Sequence, residues 1–103
     1  MQSLNNTQLS KIDSYIGFSI KSGKALFGLE MLKKSKKKPY LILIDNALGA
    51  NSLKQVTFFS EKNNVMIITL PENHLNESLK RNNIKILSLL DENLCSAIMN
   101  IIQ

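Results

Sequence analysis

Residues 22–45 read SGKALFGLEMLKKSKKKPYLILID, and this short span changes its structural preference three times. Gly23 suits the end of a preceding helix. Lys24-Ala25-Leu26-Phe27 has the length of a short strand, and Gly28 permits a tight turn into a helix whose apolar side includes Leu29 and Leu32. Pro39 cannot continue that helix. Tyr40-Leu41-Ile42-Leu43-Ile44 is then an apolar run of strand length, with the composition of a strand covered on both faces. Strand, helix and strand in such close succession predict an α/β chain.

The flanking sequence extends the alternation in both directions. Upstream, Leu9, Ile12, Ile16 and Ile20 recur at spacings of three and four, the stripe of an amphipathic helix. Downstream, Asp45 to Gly49 reads as a loop. Asn51 or Ser52 is the expected cap of a third helix that turns Leu53, Val56 and Phe59 inward until Asn63-Asn64 breaks it. Val65 to Thr69 forms the next strand, closed by Pro71, and a fourth helix near Asn73 carries Leu75 and Leu79 inward with Arg81-Asn82-Asn83 as its exit. Ile84 to Leu90 is a further strand. Asp91 caps a last helix whose face is Leu94, Ala97, Ile98 and Ile101. The expected architecture is helices covering a sheet of about four strands, in a single domain spanning residues 1–103.

Charge is concentrated in the quoted stretch. The chain has 13 Lys and Arg against 8 Asp and Glu, a net charge of +5; residues 21–38 hold seven of those lysines and only Glu30, so the remainder is slightly acidic. A localised positive field is the usual footprint of a polyanion partner, although lysines also complement the C-terminal pole of a helix. The apolar runs fall far short of a membrane span, and the MQSLNNTQLSK start lacks the pattern of a secretory signal, so a cytoplasmic protein without membrane partners is expected.

Catalytic constellations are scarce. With one histidine, His74, and one cysteine, Cys95, neither a zinc site nor a Cys–His nucleophile is readily assembled. Cys95 on an apolar stripe reads as core filling, and His74 as a surface or capping residue. Phosphate-loop and dinucleotide glycine motifs are absent. The expected activity is therefore binding rather than catalysis, with no cofactor and no metal.

In their order along the chain, Gly23-Lys24-Ala25-Leu26-Phe27-Gly28, Leu41-Ile42-Leu43-Ile44, Gly49-Ala50-Asn51-Ser52 and Asn83-Ile84-Lys85-Ile86 resemble the L-seven-Ae/L-thirty-e ribosomal protein superfamily, which binds kink-turn RNA. They are most similar to its small bacterial branch, the YlxQ-type RNA-binding proteins. The resemblance covers about residues 9–102. It implies a three-layer α-β-α sandwich around a mixed sheet, and structured RNA, kink-turn or ribosomal, as the partner of a protein that is monomeric without it. The implied contact surface is the N-terminal end of the second helix with the loop before the last strand. Residue by residue it comprises Lys24, Gly28, Leu29, Glu30, Lys33, Lys34, Lys37, Asn82, Asn83, Ile84 and Lys85.

Glu30 stands where kink-turn binders carry a base-contacting asparagine, and Met31 where they carry a glutamate. Phe27 replaces a residue that is commonly basic. An ionised glutamate cannot donate and methionine offers no strong hydrogen-bonding group, so contacts to the RNA backbone are expected to outweigh contacts to base edges. Lys33 and Lys37, and Lys34 and Lys38, would each lie one turn apart if the helix runs on through them. Four lysines each neutralising one phosphate would give a log–log salt slope of about −3.6. Two further readings remain open. Phe27, Leu29 and Met31 could form an apolar patch for an acidic protein partner, and Asp45, Asn46 or His74 could line the pocket of an enzyme.

Overall fold

The computed structural model describes residues 4–102. Five helices and four strands alternate: α1 (Asn6–Lys21), β1 (Ala25–Phe27), α2 (Gly28–Lys34), β2 (Leu41–Asp45), α3 (Ala50–Asn63), β3 (Met66–Leu70), α4 (His74–Leu79), β4 (Ile86–Leu89) and α5 (Glu92–Ile102). The sheet order is β1-β4-β2-β3. β2 and β3 pair in parallel through the α3 crossover, whereas β4 runs antiparallel to both of its neighbours, β1 and β2. This is the mixed four-stranded α-β-α sandwich expected from the sequence.

Side-chain alternation along the central strands builds two cores. Leu41 and Leu43 of β2 and Leu87 and Leu89 of β4 face one side, where they pack with Leu9, Ile12 and Ile16 of α1, Leu75 of α4 and Cys95 and Ile98 of α5. Ile42, Ile44 and Ile86 face the other side and meet Leu32 of α2 and Val56 of α3. All five residues of β2 are buried, which explains why Leu41 to Ile44 form an unbroken apolar run rather than an alternating one.

Element ends show which local forces prevailed. Asn5 caps α1 in a reciprocal box with Gln8: the Gln8 N–H donates to Asn5 Oδ1 at 2.8 Å, and the Asn5 N–H donates to Gln8 Oε1 at 2.9 Å. α3 starts earlier than Asn51 or Ser52 would place it, with Gly49 at the cap position and no side-chain cap bond. Leu53, expected inside, is 41% exposed. Leu53, Val56 and Phe59 are spaced by threes, so the first and last lie about 120° apart around a helix and only the middle residue points fully inward. The last strand is shorter than its apolar run, because Ile84 and Lys85 belong to the preceding loop.

Cys95 is core filling, as expected. Burial, with a smaller contribution from the charge of Asp91, pushes its thiol up to about 12. His74 is neither a free surface residue nor a cap. It is half-buried, with Nε2 2.8 Å from Asp13 Oδ1, and ties α4 to α1. Asp45 is 3% exposed, and both of its carboxylate oxygens are used: Oδ1 accepts the Ala47 N–H at 2.7 Å and Oδ2 the Asn73 N–H at 2.9 Å. These two residues named for an enzyme pocket are thus committed to holding loops and helices together. Among the described residues no helix is long and apolar enough to cross a membrane, and no group of three or more His, Cys, Asp or Glu side chains gathers to hold a metal.

Asp45→Ala leaves two main-chain donors without their acceptor, so we expect a loss of about 2 kcal/mol in urea unfolding. Asp45→Asn, which keeps one acceptor oxygen, should lose less.

Candidate nucleic-acid interface

The parallel strands β1, β2 and β3 end at the same edge of the sheet at which antiparallel β4 begins. Phe27 is opposite Leu87, and the Asp45 N–H donates to the Lys85 carbonyl at 2.9 Å. Crevices outside the carboxyl ends of strands are habitual ligand sites in open α/β sheets. Here that edge carries the β1–α2 junction and the loop of residues 80–85.

Gly28 makes the junction possible. Its φ is +84°, a left-handed conformation that side chains rarely adopt, and a Cβ built there would meet no atom within 4 Å. The constraint is therefore backbone conformation rather than crowding, and the space above this glycine is open to an approaching ligand. Phe27 precedes α2 without a side-chain cap bond. Glu30 occupies the first turn of this short helix, where its charge already complements the positive pole and leaves that pole a weak attraction for phosphate.

The 80–85 loop is held from beneath by Asn76. Its side-chain oxygen accepts the Ile84 N–H at 2.8 Å, its carbonyl accepts the Arg81 N–H at 3.1 Å, and its amide donates to Asn73 Oδ1 at 2.9 Å. Lys80 and Asn83 take positive φ values of 54° and 64°, which fold the loop tightly. Arg81 then lies over the Phe27 ring, its guanidinium carbon 4.5 Å from the ring centroid. This cation–π contact joins the loop to the start of α2. It also puts a positive charge beside Phe27.

The structure does not bring the eleven sequence-predicted site residues to one place. Gly28, Asn82, Asn83, Ile84 and Lys85 gather at the corner with Phe27 and Arg81; Ile84 is half-buried, while both asparagines and Lys85 are exposed. Glu30 is exposed on the first turn of α2, whereas Leu29 packs partly on the α2–α3 core. Lys33 points toward α3, where its ammonium donates to Gln55 Oε1. Lys24 lies at the other end of β1, three residues or roughly 10 Å of strand from Phe27. There its ammonium is 3.7 Å from Asp91.

Lys34 is the last residue of α2, so the helical pairing of Lys33 with Lys37 and of Lys34 with Lys38 does not occur. Ser35 ends the helix: its hydroxyl accepts the Lys37 N–H at 3.1 Å and donates to the Lys37 carbonyl at 2.8 Å, and the chain turns away. Phe27, Leu29 and Met31 also fail to form one patch. Phe27 packs partly on one core and Leu29 on the other, which leaves Met31 exposed without them.

Arg81 and Asn76 are the residues that sequence reasoning missed. Arg81 is the only arginine in a chain of twelve lysines, and that singularity was the available signal, because a planar guanidinium stacks on rings as an ammonium does not. Nothing local marks Asn76, whose role depends on a hydrogen bond across eight residues.

Solved structures share this fold, two of them as follows. A protein with unknown function from Bacillus halodurans C matches with a TM-score of 0.78 at 13% identity, over 95% of this chain and 98% of that chain. The 15.5kD RNA binding protein of Giardia lamblia matches with a TM-score of 0.72 at 12% identity, over 99% of this chain and 90% of that chain. No protein-family model and no curated protein matches the sequence.

Replacing Asn76 by Ala removes the acceptor for Ile84, so amide exchange at Ile84 should accelerate at least about tenfold, with a stability loss near 1 kcal/mol. Asp91 makes a separate prediction. The Leu94 N–H donates to its Oδ1 at 3.0 Å, and this bond, aided by Lys24 against opposing desolvation, holds the carboxyl below its ordinary value of 3.8. Its stabilising contribution is full above that ordinary value and is lost as pH falls through the lowered folded value. Asp91→Asn should therefore reduce the steepness of acid unfolding in that low range, measured by circular dichroism.

Proposed function

We propose that the protein binds folded RNA without catalysis, through the corner formed by Phe27, Gly28, Arg81 and the 82–85 loop. The observation that carries this reading is the cation–π contact of Arg81 with Phe27 beside an open glycine backbone. A guanidinium held over a ring by its charge keeps N–H donors available to a ligand, and their forked geometry suits a phosphate. Lys85 adds a second cation on the same loop, and Asn82 and Asn83 supply exposed amides that can both donate and accept.

The corner suits recognition of shape and backbone. It offers one stacking ring, already occupied on one face by Arg81, so it is a poor platform for a run of unstacked bases. Glu30 and Met31 provide no donor for the edges of G·A pairs, and a kink-turn would be engaged through its bent backbone rather than its base pairs. Ribosomal RNA is rich in folded backbone of this kind. The fold shared with the Giardia lamblia RNA-binding protein supports the reading.

The test is a salt series of binding to a kink-turn RNA, the same RNA with its G·A pairs replaced, and an unrelated duplex. Two corner cations predict a log–log slope of about −1.8, and a slope near −3.6 would bring the Lys33–Lys38 segment into the contact. Arg81→Ala should weaken binding about tenfold and reduce the steepness of the slope by about 0.9, and Arg81→Lys should restore slope without restoring full affinity. Lys24→Ala should change little. Absence of binding to all three RNAs at low salt would refute the reading.

A further inference from the structure

We infer that the groove between α2 and α3 is a docking site for an acidic protein segment that carries an apolar anchor. The groove, about 700 Å³ in volume, is floored by Leu29, Phe58 and Phe59 and flanked by Lys33, Lys54 and Lys62. Phe58 is 67% exposed, the most exposed of the chain's large apolar side chains among the described residues. Lys54, Phe58 and Lys62 are successive residues of one α3 stripe, each four positions from the next, so the ring stands between two ammonium groups. Gln55 holds Lys33 on the opposite wall.

Charge complementarity selects the occupant. The groove walls contribute three lysines and no carboxylate, and the Lys34–Lys38 run continues the positive field beyond the end of α2. The Lys54 and Lys62 positions are roughly 12 Å apart along the helix, a separation spanned by acidic residues about eight apart on a helical ligand or four apart on an extended one. An aliphatic or aromatic side chain between them would cover Phe58 and Leu29. A phosphate backbone satisfies the lysines but leaves this apolar floor wet, so the combined chemistry favours a peptide over RNA. The site is distinct from the Arg81 corner and does not depend on it.

Random twelve-residue peptides displayed on phage should be selected on the intact protein and the enriched peptides titrated by fluorescence polarisation. Expected are sequences with one apolar anchor flanked by acidic residues, bound at least about tenfold more weakly by Phe58→Ala and by Lys54→Glu/Lys62→Glu, with Arg81→Ala unchanged. Phe58 is exposed, so its replacement should leave the thermal midpoint in place and separate lost docking from lost folding. No enrichment, enrichment of peptides without acidic residues, or binding indifferent to Phe58→Ala would overturn the inference. So would self-association of the wild-type protein in sedimentation that Phe58→Ala abolishes, since a second copy would then be the occupant. Loss of affinity for folded RNA in Phe58→Ala without loss of peptide binding would assign the groove to RNA instead.

Discussion

The insertion of β4 between β1 and β2 is the constraint on which the rest depends. A strand contributed late in the chain pairs antiparallel with a neighbour on each side, with Leu87 facing Phe27 on one and Leu43 on the other. Because it runs against them, its beginning meets their ends. The loop that leads into β4 is thereby delivered to the junction where β1 becomes α2. Each side of β4 also supplies one core: Leu87 and Leu89 to the α1–α5 face, Ile86 to the α2–α3 face.

From that placement the corner acquires its rigidity by ordinary means. Asp45 fastens the ends of β2 and β3 by accepting from Ala47 and Asn73, and Asn76 supports the loop above them. Arg81 closes the arrangement across Phe27. No single contact in this set is strong: a cation–π pair at an exposed site contributes about 0.5–1 kcal/mol and a neutral hydrogen bond about 1 kcal/mol. Their effect is positional, since a preorganised guanidinium loses less freedom on meeting a phosphate than a lysine on a free stem does.

Much of the architecture was legible in the residues. The unbroken apolar run at 41–44, the helical stripe at Leu9, Ile12 and Ile16, and the Asp91 cap each depend on local composition, and each is present. What local pattern could not reveal was how charge is shared out in space. The lysine run looks like one patch in sequence, yet the Ser35 turn stops the helix at Lys34 and Gln55 draws Lys33 toward α3. Lys24 faces Asp91 at the far end of β1. On α3 the apolar residues are too evenly spaced by threes to fix the buried face: the sequence places Leu53 inward, and nothing in its local pattern marks Phe58 as exposed. The corner itself was half visible: Gly28 and the 82–85 loop carried family-like signals, whereas Arg81 and Asn76 act through contacts that only the folded chain creates.

Amide chemical-shift mapping during titration with a folded kink-turn RNA reads out whether the Phe27–Arg81 corner is the contact surface proposed for it. Binding at the corner should concentrate shifts at residues 27–31 and 80–85 and weaken them across the whole set in Arg81→Ala. Shifts confined to α3 and the Lys36–Lys38 turn, with the 80–85 loop unmoved, would contradict it.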